Sequence, residues 1–384
     1  MKTFFKRYDV RLTGVFLISM AVYLAIAYFI HAPRGYYGTL ELPRFADPWI
    51  ARGETILSGG LLYRDVFTTT PPLTNFLLLP PVIVSQWFGH VNPWATLSFM
   101  VYFSLFNLLA AFLLLYMADD RREGYLAALF FLLNPLTFGN TILRRQDESV
   151  VVFFIALSLF FLLRRRHYAA AVSIGMAMAV KLTGAVVLPI AILHSFKWQY
   201  FIITPLVFLL ILSPFLVLAG EDAMFWDVNQ EHAEHPFQYG GVSLGSLWNR
   251  FHDEAQQIPV QVPSVIFLIG VGITAVYLTW KRFGVLEDLT ILIAIVLIFS
   301  PKLHTGYFSM LVLTMALLIR PYRLVPVYFL FGFLALVADF YKWPIENFQI
   351  AFLMMVFVLA LLLYAVLRLT RPPAFSTSTK PITP

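Results

Sequence analysis

Four ionisable side chains stand together in Arg144-Arg145-Gln146-Asp147-Glu148-Ser149, wedged between two apolar runs. Charges at a membrane boundary are costly to desolvate, so such a group is a candidate site; snorkelling explains the arginines but not Asp147 and Glu148. Lys181 is a lone cation between two apolar segments, either a snorkelling lysine or a ligand for phosphate. Ser300-Pro301-Lys302-Leu303-His304-Thr305-Gly306-Tyr307 adds Lys302, His304 and Tyr307, which form a plain polar turn or further hydrogen-bonding groups. Between the first and second apolar runs lie Asp47, in Phe-Ala-Asp-Pro-Trp, and Asp65 beside Arg64. Asp47 before Pro48 has the form of a helix cap, and Arg64-Asp65 that of a surface ion pair. Together the cations suit an anionic lipid-phosphate substrate, and a carboxylate suits proton abstraction from a hydroxyl.

These residues need a scaffold, and the composition names its class. Of 384 residues, 60% are hydrophobic and 12% charged, with a mean hydropathy of +0.78. One soluble core cannot hide that much apolar surface, so the excess faces lipid and the chain is a polytopic helical membrane protein. Cysteine is absent, which excludes disulfides and thiolate metal sites. The net charge of +6 is not a nucleic-acid signal, because Lys and Arg accumulate in cytoplasmic loops. No Walker A, GxGxxG or GxSxG motif occurs. His232 and His235 flank Glu234 without forming HExxH, so no metal is expected.

After an uncleaved first anchor at 12–30, apolar segments fall at 72–88, 94–117, 125–143, 149–163, 168–180, 182–194, 201–219, 263–280, 289–300, 307–319, 324–341 and 349–367. If all cross, the basic loops at 118–124, 164–167 and 281–288 lie outside, against the positive-inside tendency. If 72–88 does not cross, every later basic loop becomes cytoplasmic, as do both termini. That gives an all-α bundle of about twelve transmembrane helices. The segment 72–88 becomes a juxtamembrane or re-entrant element of a first outer loop, 31–93. Residues 220–262 form a second long outer loop, and the whole of 1–368 is one domain ending in a disordered cytoplasmic tail at 369–384. The site residues all fall on the non-cytoplasmic face, expected to be that of the plasma membrane. A transporter or flippase is the competing reading, but it would carry internal repeats and midplane polar residues rather than charges gathered at one face.

The acidic residue after the first span, followed by "GGLLYRDVFTTTPPL", resembles the first outer loop of the C-type (GT-C) integral membrane glycosyltransferases. That loop carries Asp47, then Gly60, Tyr63, Arg64 and Asp65, then Pro71-Pro72-Leu73. A second region, from Arg144 to Leu193, resembles the same families: an acidic residue opens a span, and a lysine follows a small-residue helix. The resemblance implies transfer of a hexose, commonly mannose, from a polyprenyl-phosphate donor to a hydroxyl-bearing acceptor, with inversion and without a cofactor. It implies Asp47 as general base with Asp65 as the fallback, and Asp147 lining the site. Lys181, Arg144, Arg145, Lys302 and His304 would hold the donor phosphate, and Tyr63, Arg64, Glu148 and Tyr307 would contact substrate. One departure stands out: Asp47 is followed by Pro48, where the commonest branch has Glu.

Overall fold

The computed structural model describes residues 2–31, 48–90, 93–219, 241–259, 261–342 and 347–373. Among these it contains helices and no β-strand. In chain order they are α1 Lys2–His31, α2 Pro48–Leu57, α3 Pro72–Leu77, α4 Leu79–Trp87, α5 Trp94–Met117, α6 Arg121–Leu133, α7 Pro135–Phe138, α8 Glu148–Leu163, α9 His167–Val180, α10 Val187–Ser195, α11 Trp198–Ala219, α12 Leu244–Arg250, α13 Gln261–Lys281, α14 Val285–Phe299, α15 Phe308–Met315, α16 Val325–Tyr341 and α17 Phe348–Leu369. A π-helical turn occupies Gly139–Leu143 and a 3-10 turn Leu182–Val186.

By length and composition five helices can cross a bilayer: Tyr8–Phe29 within α1, then α5, α11, α13 and α17. Arg121–Leu133 and Pro135–Leu143 make a sixth if taken together, bent by 54° at Asn134. The remaining expected crossings fall on apolar helices such as α8, α9, α15 and α16, each of 17 residues or fewer. A helix of 14 residues such as α9 spans about 21 Å, short of a bilayer core of about 30 Å, so it must lie where the membrane is thin or within protein. The segment 72–88 forms no long helix. It is broken at Leu78 into helices of 6 and 9 residues, where Pro80-Pro81 removes two backbone donors.

The chain divides into two compact units, Met1–Met117 with Phe138–Pro236, and Ala118–Thr137 with Phe237–Pro384. In the first, α9 is the central element because its side chains are small. Thr204 Oγ1 of α11 donates to the Ala171 carbonyl at 3.1 Å, and a Cβ on Gly175 would lie 2.8 Å from the Thr204 carbonyl oxygen. Helices approach this closely in lipid only across small residues. In the second unit the buried Asn134 anchors the bend, donating to the Tyr328 carbonyl at 2.9 Å and accepting from Leu136 N–H at 3.0 Å. In the second long loop, 244–250 is helical, with Ser243 accepting from Ser246 N–H at its start.

Candidate active site

The run that follows α2 is a compact turn. Gly59 takes φ +82°, the left-handed conformation that lets a helix end, and Gly60 N–H donates to the Thr55 carbonyl at 2.8 Å. Tyr63 also has positive φ, at 72°, which carries its side chain inward. It packs with Leu62, Ala179, Phe208 and Leu212, is 4% exposed, and donates its hydroxyl to the Thr70 carbonyl at 2.8 Å. Arg64 and Asp65 face outward and form a two-point ion pair at 2.9 and 3.0 Å. The Arg64 hydrogen bonds, aided by Leu61 N–H at 2.7 Å, hold the Asp65 carboxyl down at about 2. A carboxylate that acidic accepts protons poorly near neutral pH.

The threonines beyond this turn join two elements. Arg52 of α2 donates from Nη1 to Thr70 Oγ1 at 2.9 Å, and Thr70 Oγ1 lies 2.6 Å from Thr68 Oγ1. Thr74, in the first turn of α3, donates its hydroxyl to the Val180 carbonyl at the end of α9. Pro72 opens α3 at the position where a missing N–H costs nothing, and the side chain of Asn75 ties back to the Pro71 carbonyl at 3.2 Å.

Residue 181 follows Val180. Lys181 leaves the helix in an extended conformation (φ −156°, ψ 133°), and the 3-10 turn then folds back so tightly that Gly184 meets the Ala177 carbonyl. Its ammonium lies 2.6 Å from Glu148 Oε1 and 3.7 Å from Asp147 Oδ1. Glu148 is 2% exposed, and its Oε2 and the neighbouring Ser149 hydroxyl are buried without a hydrogen-bond partner. Asp147 sits in the bend before α8. Burial pushes its carboxyl up, Lys181 opposes that, Glu148 adds to it, and Arg52 opposes it again.

The bend itself follows from the π-turn, in which Arg144 N–H reaches the Gly139 carbonyl at 3.0 Å and Gln146 N–H the Asn140 carbonyl at 2.9 Å. Such turns recur at functional sites. Asn107 of α5 pins this one by donating to Thr141 Oγ1 at 3.2 Å. Arg145, at φ 50°, lays its guanidinium 4.8 Å over the Trp49 ring and 5.4 Å from Phe99. The first unit thus brings together Asp147, Glu148, Lys181 and, from the segment between α1 and α5, Arg52 and the threonines, with Arg145 stacked on the first turn of α2. Asp47 lies outside the described residues, as do His232, Glu234 and His235.

Lys302, His304 and Tyr307 belong to the second unit. There the turn is held by Ser243, which donates to the Pro301 carbonyl at 2.7 Å, and by Val242 N–H, which donates to the Leu303 carbonyl at 2.6 Å. The His304 and Tyr307 rings lie 5.9 Å apart, edge to face. Arg52 was not among the expected site residues. Its signal in the sequence was slight, one arginine in a short run between Pro48 and Leu57.

No curated protein matches the chain. The model of Glycosyltransferase family 87 matches residues 67–301, more than half of the chain, and takes in Thr68 to Thr74, the Arg144–Glu148 cluster and Lys181. The chain belongs to glycosyltransferase family 87, a family of GT-C-type membrane glycosyltransferases.

Proposed function

We propose that the protein transfers a hexose, mannose in the first instance, from a polyprenyl-phosphate donor to a hydroxyl of a lipid, glycan or protein at the non-cytoplasmic face. The observation that carries this reading is the part-buried ammonium of Lys181, held at 2.6 Å by the buried Glu148, with Arg52 brought in through the Thr70–Thr74 segment. A cation between apolar helical segments suits a ligand that is a hydrocarbon at one end and a phosphate at the other.

In the reaction the acceptor oxygen bonds to the anomeric carbon as the bond from that carbon to the phosphate oxygen breaks. The configuration inverts, and polyprenyl phosphate leaves with the bonding electrons. Asp47 takes the acceptor proton. Lys181 stabilises the charge on the departing phosphate. Asp147 lines the site, and Glu148 keeps the lysine in place. Asp65 is not the base of choice, because its paired carboxylate holds a value of about 2.

Purified protein incubated with radiolabelled polyprenyl-phosphate mannose and a panel of hydroxyl acceptors should form a labelled product, and Asp47→Asn should form about a hundredfold less or lower. Equal transfer by the two proteins overturns the base assignment. Absence of transfer from any polyprenyl donor overturns the reaction.

A further inference from the structure

The cluster at Lys181 is not, by itself, a good anion site. Lys181 is shared between Asp147 at 3.7 Å and Glu148 at 2.6 Å, so with both carboxylates ionised the trio carries a net charge of −1. A phosphodiester entering there would be repelled unless another cation stands close by. Arg145 does not fill that role, because its guanidinium lies over Trp49 and Phe99.

Arg52 is placed to supply it. Its guanidinium is hydrogen-bonded to Thr70, four residues before Thr74, and Thr74 is bound to the carbonyl of Val180, the neighbour of Lys181. Arg52 also lies within electrostatic reach of Asp147, on which it acts in the same sense as Lys181. Its helix is fixed along its length. Trp49 packs against Phe99 and Phe103, Gly53 is pressed against Val82 of α4, and Glu54 Oε1 meets His90 Nε2 at 2.9 Å. An arginine so held presents a planar fork of donors matched to two phosphate oxygens.

We propose that Arg52, oriented by Thr70 and Thr68, binds the phosphate of the polyprenyl donor across from Lys181 and supplies the positive charge that the Asp147–Glu148 pair cancels. The assignment rests on the donor reading above. It adds a specificity role: with Arg52 offsetting the excess negative charge of the trio, the site accepts a charged lipid phosphate in preference to the neutral polyprenol, because the phosphate oxygens accept hydrogen bonds from the arginine fork.

The test measures binding of a short-chain polyprenyl phosphate and of the matching neutral polyprenol to the full-length protein, with donor and acceptor KM determined alongside. Arg52→Gln should weaken phosphate binding and raise the donor KM by about tenfold or more, leave the acceptor KM and polyprenol binding unchanged, and be partly rescued by Arg52→Lys. Thr70→Val, which keeps the arginine but removes its hydrogen bond, should give a smaller change of the same kind. If Arg52→Gln and Thr70→Val both keep wild-type phosphate affinity and donor KM, Arg52 is a structural clamp only and the inference fails. Lys181→Met in a Glu148→Gln background separates that failure from failure of the donor reading. Lost phosphate binding in this variant alone keeps the donor site and removes Arg52 from it, whereas unchanged binding in every variant removes both.

Discussion

Glu148 and Lys181 are 33 residues apart in sequence, yet a 2.6 Å contact joins them where one side chain is 2% exposed. Removing one charge strands the other, so Lys181→Met should lower stability by about 3 kcal/mol, at the low end for buried pairs because the lysine is partly exposed. Adding Glu148→Gln should restore much of that, read as coupling in a double-mutant cycle of thermal unfolding in detergent. Asp65 should behave otherwise. Its folded value is lowered, so its contribution to the 61–66 turn is complete above the unfolded value of about 4 and is lost only as pH falls toward 2. Asp65→Asn should therefore leave the acidic limb of the activity profile unchanged between about pH 5 and 8. The convergence of Asp147, Glu148 and Lys181 was legible in the sequence, since counting basic loops puts both ends of the intervening helix pair on one face. Tyr63 was not, because Tyr-Arg-Asp reads as a single polar motif until the positive φ at Tyr63 turns it away from its neighbours.

Helices α2 and α4 are joined by a chain of three groups, with Glu54 Oε1 2.9 Å from His90 Nε2 and Ser85 Oγ 2.8 Å from His90 Nδ1. His90→Ala should loosen α2 by about 1 kcal/mol and raise amide exchange through Pro48–Leu57. Because α2 also carries Arg52, transfer should fall with it. The turn after Lys181 is less forgiving. Gly184→Val would drive a side chain into the Ala177 carbonyl and should cost about 1–3 kcal/mol, displacing Lys181 and lowering activity in the same variant. At this scale apolar runs located nearly every helix, since lipid imposes the hydrophobicity that marks them. The breaks inside the runs were harder to see. The bend at Asn134 and the π-turn at Gly139–Leu143 fall within one continuous apolar stretch, 125–143, because they are made by buried hydrogen bonds that hydropathy does not register.

For the molecule as a whole, membership of a GT-C-type family and five to six long apolar helices agree on a multi-pass membrane enzyme. By the positive-inside pattern the Asp147–Lys181 face is expected to be non-cytoplasmic. Reporter fusions should therefore read non-cytoplasmic at Gly89, because 72–88 fails to cross before it, and cytoplasmic at Glu123, because α5 crosses between them. A cytoplasmic signal at Gly89 would reverse the assigned side of the site. Fold class was legible because bilayer thickness constrains every span in the same way, whereas the division into two units, with 118–137 joining the later half of the chain, follows from side-chain packing that no local pattern carries.

The segment between Thr70 and Thr74 is tied at both ends, to Arg52 on one side and to the Val180 carbonyl on the other. Surface connections usually accept extra residues at small entropic cost. This one has no slack to absorb them. Scanning single-alanine insertions along 58–92 should therefore find an intolerant island at 70–74, where one added residue abolishes transfer. The tip near Gly89 should accept the same insertion. A constraint on length, independent of which side chains are present, would then be the trace that this wall leaves on the chain.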